Sequence, residues 1–201
     1  MPDIIYRTRR AQLRAPEVPP GPENPAPEPM LEGYFVVFGQ PYYVDDFCEE
    51  HVDRHAFDSA DMTDVRALVD HDSRLVLARA NATVHTLDFD IDDTGLFARI
   101  SINPDDADAL SLRARVLRGD VDQASFGFEE SDVEYTDLPG GRVKRTILGV
   151  SKLWEISVCT FPAYEATSVS ARSRAEDKLR RELLQQKKNI LKRRFMHHGK
   201  S

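Results

Sequence analysis

The sequence predicts an α+β fold: a small, mostly antiparallel β-sheet, closed or strongly curved into a barrel, with helices around it. Short apolar or alternating runs recur from Tyr34 to Thr160, each about the length of a strand. Only one internal stretch, 104–118, shows helical spacing. Turn signals at Asp92-Asp93-Thr94-Gly95 and Pro139-Gly140-Gly141 join neighbouring runs as hairpins.

Residues 1–15 carry four arginines and little pattern, and residues 16–30 hold seven of the twelve prolines. Proline fixes φ and lacks a backbone donor, so 1–30 is expected to be a flexible N-terminal segment outside the sheet. The folded body, 31–172, then opens with a buried strand over 34–38. A short helix is expected within 49–62. Val65, Ala67 and Val69 alternate as one face of a half-buried strand that runs to His71. Strands over 75–80 and 83–91 follow, and the turn at 92–95 leads into another over 96–102. Asn103 is placed to cap a helix with Pro104 at its first position. Leu110, Ala114 and Leu117 form its apolar face, and Gly119 ends it. Residues 121–128 read as a strand. In 152–161 Leu153, Glu155, Ser157 and Cys159 alternate with Trp154, Ile156, Val158 and Thr160, and Pro162 stops the run. The remainder, 173–201, is a basic tail of helical composition, with Leu179, Leu183, Leu184, Ile190 and Leu191 set among charges.

The formal charge of −7 divides unevenly: residues 173–201 carry a net +7 and residues 1–172 a net −14. An acidic body repels nucleic acid, so no specific nucleic-acid partner is expected. No apolar run approaches the ~18 residues of a membrane helix, and the N-terminus lacks a signal-peptide apolar stretch. Neither a membrane partner nor secretion is expected. Two cysteines, Cys48 and Cys159, make neither a disulfide framework nor a four-thiolate zinc site. A reduced intracellular chain without cofactor or metal follows.

Three residues draw attention as chemistry. His71 ends an apolar strand between Asp70 and Asp72, at a rim position where a base can face a cleft. Ser125, in Ala124-Ser125-Phe126-Gly127-Phe128, becomes a nucleophile only if a base takes its proton. The segment is not a nucleophile elbow, and a packed structural serine is its plainer reading. Glu155 shares an otherwise unlike face and needs a partner, either a histidine that it orients or a structural cation. His51 and His55, at i and i+4, offer a rival metal site on the expected helix, although no third ligand follows. His85 reads as a sheet-face residue, and His197 and His198 lie in the tail.

The order of short motifs resembles the prohead maturation proteases of tailed bacteriophages. The matching blocks are Gly33 to Phe38, Ala56-Phe57, the run from Val65 to Asp72, Thr94-Gly95-Leu96 and Arg118-Gly119-Asp120-Val121. They continue with Ser125 to Phe128, the strand carrying Leu153, Glu155, Ser157 and Val158, Phe161-Pro162-Ala163-Tyr164, and Ala166 to Val169. The resemblance spans about residues 31–172. It departs where Leu77-Ala78-Arg79 replaces the glycine that often follows in the family.

The resemblance implies a fold like that of the herpesvirus assembly proteases, a small barrel surrounded by helices. It implies a serine endopeptidase enclosed in the procapsid that cuts scaffold, or the scaffold-like segment of the capsid protein, and itself. By motif position Ser125 is the nucleophile, His71 the general base and Glu155 the third member, with Asp72 as its substitute. Capsid or scaffold protein is the implied substrate, and self-association is expected. Two rivals remain: an inactive scaffolding protein on the same fold, and a metal-dependent hydrolase using His51 and His55.

Overall fold

The computed structural model describes residues 4–11, 13–16, 29–45 and 48–161. The strand-ending Pro162, the family blocks from 162 to 169 and the helix expected within 173–195 lie outside them. The described elements are β1 (Ile5–Arg10), β2 (Met30–Val37), β3 (Tyr42–Asp45), β4 (Cys48–Val52), β5 (Val65–Val69), β6 (Asp72–Ala80), β7 (Leu87–Ile91), β8 (Gly95–Ser101), α1 (Ala107–Arg118), β9 (Gln123–Asp137) and β10 (Val143–Cys159). The described residues are therefore mostly β. Where several surrounding helices were expected, the described residues contain one α-helix, and it is neither long nor apolar enough to cross a membrane.

Two sheets form. The larger runs β1-β9-β10-β4-β3, with β5 pairing both β10 and β6; the smaller runs β2-β8-β7. The long hairpin β9–β10 is the axis of the larger sheet. On its other edge β10 pairs in parallel first with β4, at 143–147, and then with β5, at 155–158. This brings β4, β5 and β9 to one strand. Phe126 and Phe128 stack at 4.8 Å between centroids, and Phe57 and Tyr42 approach Phe126 at 6.4 and 6.2 Å. Fully burying one such side chain contributes roughly 1.5–3 kcal/mol.

A bulge in β10 decides which residues face the site. Leu153 is paired with Phe128, but Glu155 is paired with Gly127, so the register shifts across Trp154. Paired residues project to the same side of a sheet, and Phe128 and Gly127 project to opposite sides. Leu153 therefore joins Phe126, Phe128, Ile156 and Val158 in the apolar core. Glu155, Ser157 and Cys159 turn to the other face, with Ser125 and Gly127. The simple alternation that placed Leu153 beside Glu155 does not hold.

Three further segments depart from expectation. The helix sought within 49–62 is instead β4 followed by turns: Cys48, Glu50 and Val52 alternate as buried positions, a period of two rather than 3.6. Helix α1 starts three residues later than Asn103 suggests. Asp106 caps it, accepting from the N–H groups of Asp108 and Ala109. Its buried face is Ala109, Leu112 and Val116, whereas Leu110 and Leu117 are exposed. Gly119 ends the helix with φ 87°, as the left-handed C-cap requires. Within the N-terminal segment expected to be flexible, Ile5–Arg10 pairs antiparallel with β9 from Phe128 to Gln123. The proline argument applies to residues 16–30 and places no limit on the residues before them.

Candidate functional site

The site is built over the face of β9 and β10 that carries Ser125, Gly127, Glu155, Ser157 and Cys159. His71 reaches it from the β5–β6 hairpin. Val69 pairs with Asp72, so the turn has two residues, Asp70 and His71, with φ 49° and 62°. Positive φ at both positions is the turn that matches the twist of a two-residue hairpin. Neither residue is glycine, and the surrounding contacts hold them there. The Asp70 N–H donates to the Val158 carbonyl at 3.1 Å. The Asp70 carboxylate accepts from the Thr160 N–H at 2.8 Å and its hydroxyl at 3.1 Å. The His71 N–H donates to Ser157 Oγ at 3.2 Å. The turn is thus clamped to β10, and the imidazole lies over Glu155.

His71 Nδ1 lies 2.7 Å from Glu155 Oε1. The other carboxylate oxygen of Glu155 accepts from Ser157 Oγ at 2.5 Å. Glu155 is only 6 % exposed, and its two oxygens are satisfied by groups that fix its orientation. A carboxylate accepts and does not donate, so the proton on this contact belongs to Nδ1, which leaves Nε2 as the basic nitrogen. Cys159 Sγ lies 3.9 Å from Nε2. Burial first, then the nearby carboxylates of Asp70 and Glu155, push the Cys159 thiol well above its usual range, so it stays protonated. The Tyr6 ring packs edge-on against the imidazole at 4.5 Å. Burial, reinforced by Glu155, also raises the Tyr6 phenol.

Ser125 is aligned directly across the ladder from Ser157 and projects to the same face. Ser157 in turn contacts both Glu155 and His71. Ser125 itself is 0 % exposed. Its hydroxyl donates to the Arg7 carbonyl at 2.9 Å and accepts from Thr8 Oγ1 at 2.9 Å. The described hydrogen bonds of the Ser125 hydroxyl run to β1, while Nε2 of His71 faces Cys159.

Asp72, the substitute third member, points elsewhere. It holds Arg74 through several contacts, and those hydrogen bonds lower its carboxyl to about 2. His51 and His55 do not share a helix face. His51 lies in β4 beside Glu49 at 3.1 Å, and His55 sits in a turn facing Asp58 at 3.1 Å. Among the described residues no group of three or more potential ligands is placed to hold a metal.

The site also contains residues that sequence reasoning passed over. Tyr6 and Thr8 belong to the segment read as flexible. Their only signal is the alternation of Ile5, Arg7 and Arg9 with Tyr6 and Thr8. Gly127, by contrast, is where the sequence itself points to a close approach: a Cβ there would fall 2.7 Å from Glu155 Oε1 and 2.8 Å from the Tyr6 ring. Beneath the β1 edge, Arg7 and Arg145 both pair with the carboxylate of Glu50, and Arg145 also pairs with Glu130. Burial alone pushes the Glu50 carboxyl up, but the two guanidiniums outweigh it and hold Glu50 below the usual carboxylate range.

Comparison with known proteins adds three findings. The family model described as caudovirus prohead serine protease matches residues 20–182. The prohead protease of Enterobacteria phage HK97 is 39% identical over 80 residues, which is 40% of this chain and 34% of that protein. The chain thus matches about a third of the length of that curated relative. The structure of the bacteriophage T4 capsid assembly protease, gp21, aligns with 77% of this chain and 96% of its own, at 11% identity and a TM-score of 0.41.

Proposed function

The chain belongs to the caudovirus prohead serine protease family, and on that premise we propose that it is a serine endopeptidase of capsid maturation. The observation that carries the reading is the 2.7 Å contact of His71 Nδ1 with Glu155 on the sheet face that bears Ser125. In the proposed reaction Nε2 of His71 takes the Ser125 proton as Oγ attacks a peptide carbonyl. Glu155 holds the imidazole in the required tautomer and stabilises the imidazolium that forms. Nε2 then returns the proton to the leaving amine. Water, activated by the same nitrogen, releases the acyl group and restores Ser125. Ser157 is a positioning residue: it reaches both Glu155 and the His71 backbone.

The substrate in this reading is scaffold protein, or a scaffold-like segment of the capsid protein, cut inside the procapsid. The enzyme also trims itself and self-associates. The barrel of the herpesvirus assembly proteases is the finer fold we assign, with β9–β10 as its long hairpin. Residues 173–201, at net +7, are assigned as the tail that recruits the enzyme through acidic surfaces and is trimmed.

Coexpression with the capsid or scaffold partner tests this, with the Ser125→Ala chain alongside. Specific fragments are expected with the parent alone, since loss of the nucleophile or base in such systems costs a factor of about 10⁴ or more. Fragments that persist with Ser125→Ala assign the cleavage to another agent. An intact partner in both samples favours a scaffolding role.

A further inference from the structure

We propose that the edge of β9 beside Ser125 is the peptide-binding site, and that Ile5–Arg10 is the chain's own occupant of it, which keeps the nucleophile latent. The inference rests on reading Ser125 as the nucleophile.

A protease that takes an extended peptide needs a free strand edge next to its nucleophile, where main-chain pairing supplies affinity. Here β1 stands at the end of the strand order, paired with β9, in register with Thr8 opposite Ser125 and Tyr6 opposite Gly127. It excludes water from Ser125, and the two contacts described above hold Oγ against the Arg7 carbonyl and the Thr8 hydroxyl. The Tyr6 ring fills the space over Gly127 and packs on His71. Nucleophile and base are therefore both engaged by β1, and the basic nitrogen of His71 faces Cys159 rather than Ser125.

The strand is suited to leaving. Ile5 and Thr8 are its buried residues, so little apolar area anchors it. What holds the chain beyond it lies after the strand itself: the Ala11 N–H donates to the Asp122 carbonyl and Arg14 pairs through the backbone with Glu32, ahead of the proline-rich stretch 16–30. The strand's buried charged anchor is Arg7 on Glu50, the Arg10–Asp122 pair being exposed, and Glu50 keeps Arg145 when Arg7 departs. A peptide bearing a guanidinium at the same position would take over that contact. The backbone carbonyl that accepts from Ser125 Oγ is that of Arg7, at 2.9 Å. The ligand class is accordingly an extended peptide with a basic side chain read by Glu50, its carbonyl at the nucleophile, followed by a small hydroxyl-bearing residue.

The test uses the full chain and a fluorophosphonate probe, with labelling of Ser125 read by intact mass. Parent, Arg7→Glu and Thr8→Glu are compared after cooperative melting has been verified. Labelling is expected to be at least tenfold faster in both variants. A synthetic peptide of residues 4–11 at millimolar concentration should restore the slow rate. The same peptide with alanine in place of the arginine matching Arg7 should be at least tenfold less effective. Equal labelling rates in parent and folded variants, or no protection by the peptide, overturn the proposal. Hydrogen exchange on the unmodified chain gives an independent reading, and it decides alone if the variants do not fold. The amides of β1 should exchange at least tenfold faster than those of β9 and β10, and faster still when the peptide is added. Exchange of β1 in step with β9, unmoved by peptide, also overturns it. A chain that is never labelled in any form counts against Ser125 as nucleophile, while the exchange experiment still decides the occupancy of the edge.

Discussion

Replacing Arg145 by methionine should be among the most damaging single changes away from the site. The Arg145 guanidinium is 1 % exposed and meets Glu50, which is 0 % exposed, together with Glu130 and the Tyr135 hydroxyl. Methionine removes the charge and leaves Glu50 with Arg7 as its cation; Glu130, partly exposed, regains water. Breaking a buried pair from one side costs about 3–5 kcal/mol, because the remaining charge stays desolvated. The surviving Arg7 contact argues for the lower end, about 3 kcal/mol. For a domain of this size that is a fall in Tm of roughly 6–12 °C. Denaturant melts of the parent, Arg145→Met, Glu50→Gln and the double variant form a cycle. The double variant should recover about 2 kcal/mol or more relative to the sum of the singles, since neither half of the Arg145–Glu50 pair is then left buried without the other. The pH dependence has a definite sign. The Glu50 carboxyl is lowered in the folded state, so its stabilisation is fully present above the unfolded value of about 4.3 and is lost as pH falls through the folded value. A loss below about 1 kcal/mol for Arg145→Met, or strict additivity in the cycle, would refute the buried cluster as the source of stability.

Glu155→Gln should leave folding nearly intact and lower the cleavage rate by about 10³–10⁴, since an amide no longer enforces the tautomer; Asp72→Asn, which meets Arg74, should stay within about threefold of the parent rate, as an exposed pair contributes little. Equal losses in the two variants would reverse the assignment. Gly127→Ala must find 0.7 Å, the difference between the 2.7 Å left at Glu155 Oε1 and the 3.4 Å of ordinary contact. Its melts should show a loss of about 1–3 kcal/mol, and an unchanged midpoint would mean that Tyr6 and Glu155 do not fill that space. Asp106→Ala removes the α1 cap and should cost about 1 kcal/mol in the same assay, with no change in cleavage.

The strands that build the site were legible because their patterns are local: the alternation through Val65, Ala67 and Val69, and the Ser125 to Phe128 block. What was not legible has a physical cause in each case. The β10 bulge at Trp154 leaves no mark in hydrophobicity, yet it reverses the face of Glu155 relative to Leu153. The α1 face is set by the buried cluster that Ala109, Leu112 and Val116 join, and Leu110 and Leu117 are apolar residues left exposed. The segment Ile5–Arg10 buries little apolar surface and is rich in arginine. It is a strand because β9 offers an edge and Glu50 a counter-charge, and both are supplied by distant sequence. Glu50 itself reads as a surface residue until two arginines far apart in the chain converge on it.

The parallel pairing of β10 with β5 also has a consequence during synthesis. His71 and Glu155 are 84 residues apart in the chain, and the strand carrying Glu155 is the last of the described elements to be made. At ~5–20 residues per second the ribosome needs roughly 4–17 s to pass from one to the other. Closing a loop of that length costs about 4 kcal/mol of chain entropy, beyond a constant term, before any contact offsets it. The β9–β10 hairpin, by contrast, closes locally and provides the template on which β5 docks. The nascent chain therefore carries histidine and serine for some time with nothing to orient them, and the acid arrives last, on the strand that completes the sheet.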